Sequence, residues 1–536
     1  MKKSPFVLSA GMIVAGLLLA GCAKPSEQPT ATPTTPAGSP VPTRTATPTP
    51  RASPAGLQPE YGGILKISMD KPSDPIGAPW QHRAGTVTGT APALEYLYRI
   101  GAKGEIVPWL ATKWEFAPDY KWVTYQLRRG IKFHDGTSLN AQTVKWNLER
   151  IWKAKRNGTE TWTSIDVVDD FTLRVNLSSY DWTMHTISAE YYVVSQTWYE
   201  KMGEQAASWH PIGTGPFKFV SYKDDVAIDY QRFDGYWGQK PYLDGIKGLY
   251  FADPTTEAAA LQSGTVHIIF PNEKYANDLR TLGYRVEETG YSSTVLFPDS
   301  ANAGSVYADQ KVREAVEYAI DKEAIVKTLM YGFGRAIYQP VAHPDFFGYN
   351  TAIAGRKYDP AKAKQLLAQA GYPNGLKTKL NSYDRADRKI DAAIQDYLRR
   401  AGIEVQIDVN TWTKHTEIRR TGYTGLFLMA GGQEGGDVIS NWNRHLSWTK
   451  PGMGHVSTKR PAEWDSLFQK LLVTYDEKTQ SEIGKRMSMV AYETVWAIPF
   501  YASAYLNAQI AGVHDYREEG KYWWDSGRVW LEKKLH

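Results

Sequence analysis

The chain has 536 residues, with 62 lysines and arginines against 57 aspartates and glutamates, a formal net charge of +5. That length exceeds one ordinary domain, and the near-balance of charge excludes a dedicated nucleic-acid binder with its basic stripe. A charged fraction of 22% excludes a polytopic membrane protein, and a single cysteine excludes intrachain disulfides and multi-cysteine metal cages.

Lys2 and Lys3 precede an apolar run from Pro5 to Ala20 that ends Leu19-Ala20-Gly21-Cys22. A basic start, a short apolar core and small residues at its end make a secretory signal, and the run is shorter than the ~20 apolar residues of a spanning helix. Its end resembles the bacterial lipobox, which implies a signal peptide over 1–21 and lipidation at Cys22. Two acyl chains there would make membrane attachment stable where one would not. Ala23 to Pro59 holds ten prolines, eight threonines and no aromatic residue. Such a segment buries too little apolar surface to offset its ordering entropy, so 22–60 is expected to be a disordered stalk. At about 3.1 Å per residue in polyproline II, its reach is on the order of 100 Å.

The body begins at Tyr61. Gly62 to Ser68 reads as a strand, and Trp122 to Arg128 alternates as a half-buried strand does. Phe133-His134-Asp135-Gly136 reads as a turn, since Asp-Gly favours positive φ. Gln142 to Ile151 follows with Val144, Leu148 and Ile151 on one helical face. Further on, Val312, Ala315, Val316, Ala319 and Ile320 keep helical spacing. Asp359 is placed to cap a helix that opens on Pro360 and closes before Gly371. A second helix spans about 387–401, closed by Gly402, and Ile403, Val405, Ile407 and Val409 then alternate as a strand. Helix and strand alternating at this spacing imply α/β layers.

Five stretches, in order, resemble the extracellular solute-binding proteins of family 5, the dipeptide- and oligopeptide-binding proteins of ABC importers. They are Leu127-Arg-Arg-Gly-Ile-Lys-Phe-His-Asp-Gly-Thr137; Pro211-Ile-Gly-Thr-Gly-Pro-Phe-Lys-Phe219, continued by Phe233-Asp-Gly-Tyr-Trp237; Pro241-Tyr-Leu-Asp-Gly-Ile246; Val312-Arg-Glu-Ala-Val-Glu-Tyr-Ala-Ile-Asp-Lys322; and Tyr358-Asp-Pro-Ala-Lys-Ala-Lys364 with Ala370-Gly-Tyr-Pro373. The resemblance covers nearly all of 61–536. It implies an α/β, two-lobe, periplasmic-binding-protein-like clamshell (class II) with an extra inserted domain. Lobe I would combine 61–100, 212–304 and 500–536, the inserted domain would be 101–211, and lobe II 305–499, with hinge crossings near 300–310 and 495–505. It further implies a monomer, lipid-anchored on the periplasmic side of the cytoplasmic membrane, that hands a captured solute to the permease and ATPase subunits of an importer. No catalysis, cofactor, metal or nucleic-acid partner is expected. A secreted lipoprotein hydrolase is the contrasting reading; against it, the sequence has neither His-Glu-x-x-His nor Gly-x-Ser-x-Gly. Gly213-Thr-Gly215-Pro216 lacks the Lys-Ser/Thr ending of a phosphate loop, and His134 alone is a poor metal-ligand set, so both read as structural.

In peptide-binding members an Asp in a Trp-rich loop of the second lobe pairs with the ligand's ammonium, as a buried charge requires. The matching loop here is Met429 to Trp442. Asp437 fits its second acid, with Val438 where the family has Pro. Either Gln433 or Glu434 takes the place of the first; Glu434 there would suit a peptide or another cation, Gln433 a neutral ligand. Trp442 and Trp412 either offer flat faces that suit an oligosaccharide or a bulky side chain, or simply fill the lobe; peptide is the leading ligand by family frequency, with oligosaccharide close behind. The resemblance adds Asp74, Trp80, Tyr291, Ser292 and His343 as candidates for the cleft.

Overall fold

The computed structural model describes residues 57–81, 87–101, 106–156, 158–182, 191–434, 438–442, 446, 454–517 and 524–536. The signal, Cys22 and almost all of the stalk lie outside these. Among the described residues no helix is long and apolar enough to cross a membrane.

Strand β1 (Ile64–Ser68) opens the body. The additional domain follows as an antiparallel sheet of β2 (Ala111–Phe116), β3 (Trp122–Leu127), β4 (Trp162–Asp169) and β5 (Thr172–Leu177), in the order β2-β3-β5-β4. Helix α1 (Ala141–Lys153) packs beside it, started by the Asn140 side chain on the Thr143 N–H, with Val144, Leu148 and Ile151 buried as the spacing predicts.

The chain then returns to lobe I through β6 (Phe217–Lys223), β7 (Ala227–Arg232), β8 (Gly245–Leu249), α2 (Pro254–Gln262), β9 (Ile268–Ile269) and α3 (Glu273–Thr281). The long strand β10 (Arg285–Pro298) leads into lobe II. There come α4 (Gln310–Ala319), α5 (Lys322–Leu329), the short β11 (Arg335–Ala336), α6 (Pro360–Gln369), β12 (Leu376–Tyr383), α7 (Arg388–Arg400), β13 (Ile403–Asn410), α8 (Trp412–Thr421), β14 (Leu426–Glu434), α9 (Val438–Trp442), α10 (Ala462–Leu472) and α11 (Glu477–Thr494). Strand β15 (Ile498–Gln509) brings the chain back. Asp359 caps α6, whose first residue is Pro360, and Asp387 caps α7, as expected.

One eleven-stranded sheet runs through both lobes in the order β13-β12-β14-β10-β15-β9-β1-β8-β7-β6, with β11 added against β15. Strands β12 and β13 are parallel, joined by α7, which gives the α/β layering of lobe II. The lobes are connected inside two antiparallel strands rather than by loops. The second half of β10 pairs with β14 of lobe II, while the end of β15 pairs with β9 of lobe I. Between these points the β10–β15 register slips at Glu288/Gly290 and at Thr294/Val295. Bulges bend and twist a strand, so these slips mark where the ribbon departs from a regular ladder.

One apolar cluster unites lobe I with the additional domain, from Leu65 and Ile67 through Val123 and Val175 to Phe217 and Ile246. At its centre the fully buried Glu95 carboxylate accepts from Trp109 Nε1 (2.6 Å), Thr214 Oγ1 (2.7 Å), Trp237 Nε1 (2.8 Å) and the Tyr236 hydroxyl (2.9 Å). Burial raises the Glu95 carboxyl above its ordinary pKa, opposed by Arg99 and by these donors. Lobe II has two cores, one around Val316, Leu367, Leu380 and Ile403, the other around Phe297, Met429, Trp464 and Trp496.

The Gly213-Thr214-Gly215 stretch is structural. A Cβ on Gly213 would lie 2.2 Å from the Ala93 carbonyl oxygen, and one on Gly215 2.6 Å from that of Pro92. The buried His134 ring fixes this turn, Nε2 donating to the Gly215 oxygen at 2.9 Å while Nδ1 accepts from the Gly213 N–H at 3.4 Å.

Candidate functional site

Where β10 crosses between the lobes, Tyr291 and Ser292 stand in register with Glu434 and Gln433 at the end of β14. The Ser292 hydroxyl donates to the Gly431 carbonyl at 2.5 Å, tying the strand that carries the predicted loop to the crossing. Thus Tyr291, Ser292, Gln433 and Glu434 meet at one place although they come from segments far apart in sequence. His343 joins them, its ring stacked on Tyr291 at 5.8 Å and 15°, with Phe346 closing a triangle of rings at 5.3 Å from His343 and 6.4 Å from Tyr291.

Two charged residues complete this group. The Arg335 guanidinium donates to the Tyr291 hydroxyl at 2.9 Å and lies 4.6 Å from its ring centroid. The same hydroxyl donates to the Glu288 carboxylate at 2.9 Å. Arg335 is held there because β11 pairs Arg335 with Ala502 and Ala336 with Tyr501 of β15. Burial and the neighbouring Glu288 raise the Tyr291 phenol above its ordinary pKa, so it keeps its proton to donate. Burial, and then the charge of Arg335, lower His343, which is neutral at pH 7; its Nδ1 accepts from the Asp345 N–H at 3.1 Å. The group therefore presents one cation, one carboxylate and two neutral aromatic rings beside a strand end. That set suits a solute carrying both signs of charge and a flat or apolar portion. Arg335 and Glu288 were not singled out from sequence. Glu288 sits three residues before Tyr291, while Arg335 follows a glycine pair and has no local pattern that announces it.

The other candidates stand elsewhere. Trp442 is 1% exposed, packed against Trp464 at 5.5 Å and Phe347 at 6.3 Å. It is a core residue of lobe II, which agrees with the lobe-filling one of the two readings open for it from sequence. Trp80 is also a packing residue. Its indole N–H donates to Glu204 at 3.0 Å, its ring meets Trp146 and Tyr199 edge-on at 5.6 and 5.1 Å, and Arg150 lies over it at 4.8 Å. Asp74 accepts from Ser73 Oγ at 3.0 Å on the loop after β1. Trp412 is half-buried at the start of α8, against Tyr383 at 5.3 Å and 5.7 Å from the Arg385 guanidinium. Asp437 lies outside the described residues, as do the side chains of Gln433 and Glu434.

A cavity of about 920 Å³ opens on lobe II between the Asp299–Tyr307 segment and strands β12 and β13, and none of the candidates lines it. Its polar groups pair among themselves, Lys379 with Asp408 at 3.1 Å and Ser457 Oγ with the Tyr423 carbonyl at 2.7 Å. Among the described residues no three His, Cys, Asp or Glu side chains are grouped to hold a metal ion.

Residues 105–452 match the family described as bacterial extracellular solute-binding proteins, family 5 Middle. The chain belongs to this family. Among its relatives, the heme-binding protein A of Haemophilus influenzae is 28% identical over 435 residues, 74% of this chain and 78% of that one. The dipeptide-binding protein of Escherichia coli K12 is 27% identical over 452 residues, 75% and 81% of the two chains. A solved structure of DppA from Helicobacter pylori in complex with the peptide STSA superposes with a TM-score of 0.73 at 24% identity, over 88% of this chain and 99% of that one. HbpA2 from Haemophilus parasuis superposes with a TM-score of 0.78 at 21% identity, again over 88% and 99%. These likenesses establish the two-lobe family 5 fold.

Proposed function

We propose that this family 5 protein is the substrate-binding lipoprotein of an ABC importer and that its solute is peptide-like. The observation that carries the reading is the Glu288–Tyr291–Arg335 arrangement at the crossing of the lobes, beside the end of β14. It sets a carboxylate for an ammonium group and a guanidinium for a carboxylate within one hydrogen-bonded group, next to backbone that an extended ligand pairs with. The dipeptide- and peptide-bound relatives support the same assignment. With Trp442 in the core, an oligosaccharide has fewer aromatic faces to stack on, and that alternative loses its main support. Cys22 would carry the lipid and 22–60 the stalk that holds the body off the outer face of the cytoplasmic membrane. The permease and ATPase subunits of the importer would be its partners, and the protein would act as a monomer without a cofactor and without turnover of the solute.

The test is thermal unfolding of the full chain with a di- to hexapeptide pool, and separately with glutathione, hemin and oligosaccharides. A ligand at 100 times its dissociation constant adds about 2.7 kcal/mol of stability. A shift with peptides, lost in Arg335→Ala and Glu288→Gln, supports the proposal. A shift only with hemin or with sugars overturns the peptide assignment.

A further inference from the structure

A ring cluster between the additional domain and lobe II shares no contact with the described residues of the candidate site. Phe116 ends β2, Tyr120 lies in the turn that follows, and Tyr180 follows β5; Tyr475 of lobe II stands among them, between α10 and α11. The Tyr475 centroid is 5.3 Å from Phe116, 5.9 Å from Tyr120 and 6.0 Å from Tyr180, and Phe116 and Tyr120 each lie 5.3 Å from Tyr180. Beside the rings, the Trp182 backbone N–H donates to the Leu472 carbonyl at 2.8 Å. The two sides exchange side chains. Tyr475 packs on the cluster of lobe I and the additional domain, while Trp182 packs on the lobe II core that contains Leu472.

A second observation comes from the backbone. Tyr120 has φ of +56°, in the left-handed region, where a bulky residue is strained and glycine or asparagine is not. The turn is closed by the Tyr120 N–H on the Ala117 carbonyl at 2.9 Å, which any residue but proline supplies. The ring contacts, not the turn, account for a tyrosine there.

None of the four rings belongs to the β10–β15 ribbon, so parting the lobes about that ribbon would break their contacts. We infer that the cluster is a latch: Tyr475 and Tyr120 position lobe II for solute capture, setting affinity by stabilising the closed state without touching the solute. The inference rests on the solute-capture reading. Apparent affinity scales with the fraction of protein in the competent state, so contacts present only on closure tighten binding as directly as contacts to the ligand.

The test uses the full chain with Tyr475→Ala and Tyr120→Gly. Two measurements are made: hydrogen exchange of the Trp182 amide without ligand, and dissociation of the tightest-binding member of the di- to hexapeptide pool. With aromatic pairs worth about 0.5–1.5 kcal/mol, Tyr475→Ala is expected to raise the dissociation constant about 2- to 10-fold, mainly through faster release, and to speed Trp182 exchange. Tyr120→Gly is expected to weaken binding while leaving the melting temperature unchanged or higher, since it relieves strain. Unchanged affinity and unchanged Trp182 exchange in Tyr475→Ala, even with a lower melting temperature, describe a fixed interface and overturn the latch. If the parent protein binds no member of the pool, the peptide reading fails by itself. Trp182 exchange then decides the latch alone, faster exchange in Tyr475→Ala supporting it and unchanged exchange overturning it.

Discussion

Replacing Glu95 tests how the additional domain is fastened to lobe I. Its carboxylate gathers two indole N–H groups and two hydroxyls from three segments, one pair on each oxygen: Trp109 and Tyr236 on Oε1, Thr214 and Trp237 on Oε2. Hydrogen bonds to a charged partner contribute about 1.5–3 kcal/mol each, and they are not additive. Breaking a buried charged network by removing one member costs about 3–5 kcal/mol, the magnitude expected for Glu95→Ala. Glu95→Gln keeps the shape but turns one oxygen into an NH2 group. A tyrosine or threonine hydroxyl rotates to accept from it, whereas an indole N–H cannot, so about one indole bond is lost and the loss is roughly 2 kcal/mol. The assay is urea unfolding followed by tryptophan fluorescence, since Trp109 and Trp237 report directly on the site. A Glu95→Ala protein within about 1 kcal/mol of the parent would refute the view that these four donors depend on one carboxylate.

Three further outcomes are expected. His134 and His415 are buried with pKa values lowered to about 4 from 6.5, so between those values the unfolded chain takes up protons that the folded chain refuses. Stability therefore falls as pH drops from 6.5 to 4, by up to about 1.4 kcal/mol per pH unit for each histidine; acid titration of the urea midpoint checks this, and a flat profile contradicts it. Glu317 is 2% exposed and holds both Lys322 (3.3 Å) and Arg356 (3.0 Å), so Glu317→Leu leaves the buried Lys322 on backbone carbonyls alone and Arg356 with only the more distant Glu314 carboxylate as a counter-charge, and should cost about 3–5 kcal/mol by calorimetry. Gly215→Ala drives a methyl to 2.6 Å from the Pro92 carbonyl oxygen and should cost about 1–3 kcal/mol in the same measurement, with no change if the turn can shift freely.

Lobe II was the most legible part of the chain, because its signals are local. Asp359-Pro360 and Asp387 start helices by their own side chains, Gly371 and Gly402 take positive φ after the ends, and Ile403 to Asn410 alternates along one strand. The site was only half legible. Tyr291, Ser292, Gln433 and Glu434 were reached through resemblance, and the register of β10 against β14 brings them together. Arg335 came to Tyr291 through pairing with β15, a contact that no spacing along the chain encodes. Trp442 stayed open between ligand contact and packing for the reverse reason. An indole in a polar, glycine-rich loop looks available, and only the approach of Phe347 and Trp464 shows where it goes. Glu95 was invisible among apolar neighbours, since its four donors come from other segments.

The single sheet has a consequence for how the chain comes to be folded. Strand β15, at 498–509, fills the slot between β10 and β9, and β9 in turn borders β1 at 64–68. The runs β13-β12-β14-β10 and β9-β1-β8-β7-β6 are each contiguous without it, so this late segment is what joins the two halves, and pairings between such distant segments are slow to form. A chain emerging from its N-terminus would thus join the two halves of its sheet only once residues 498–509 had appeared. Until then the edges of β9 and β10 that face this slot stay open to pairing with other chains, a route to aggregation.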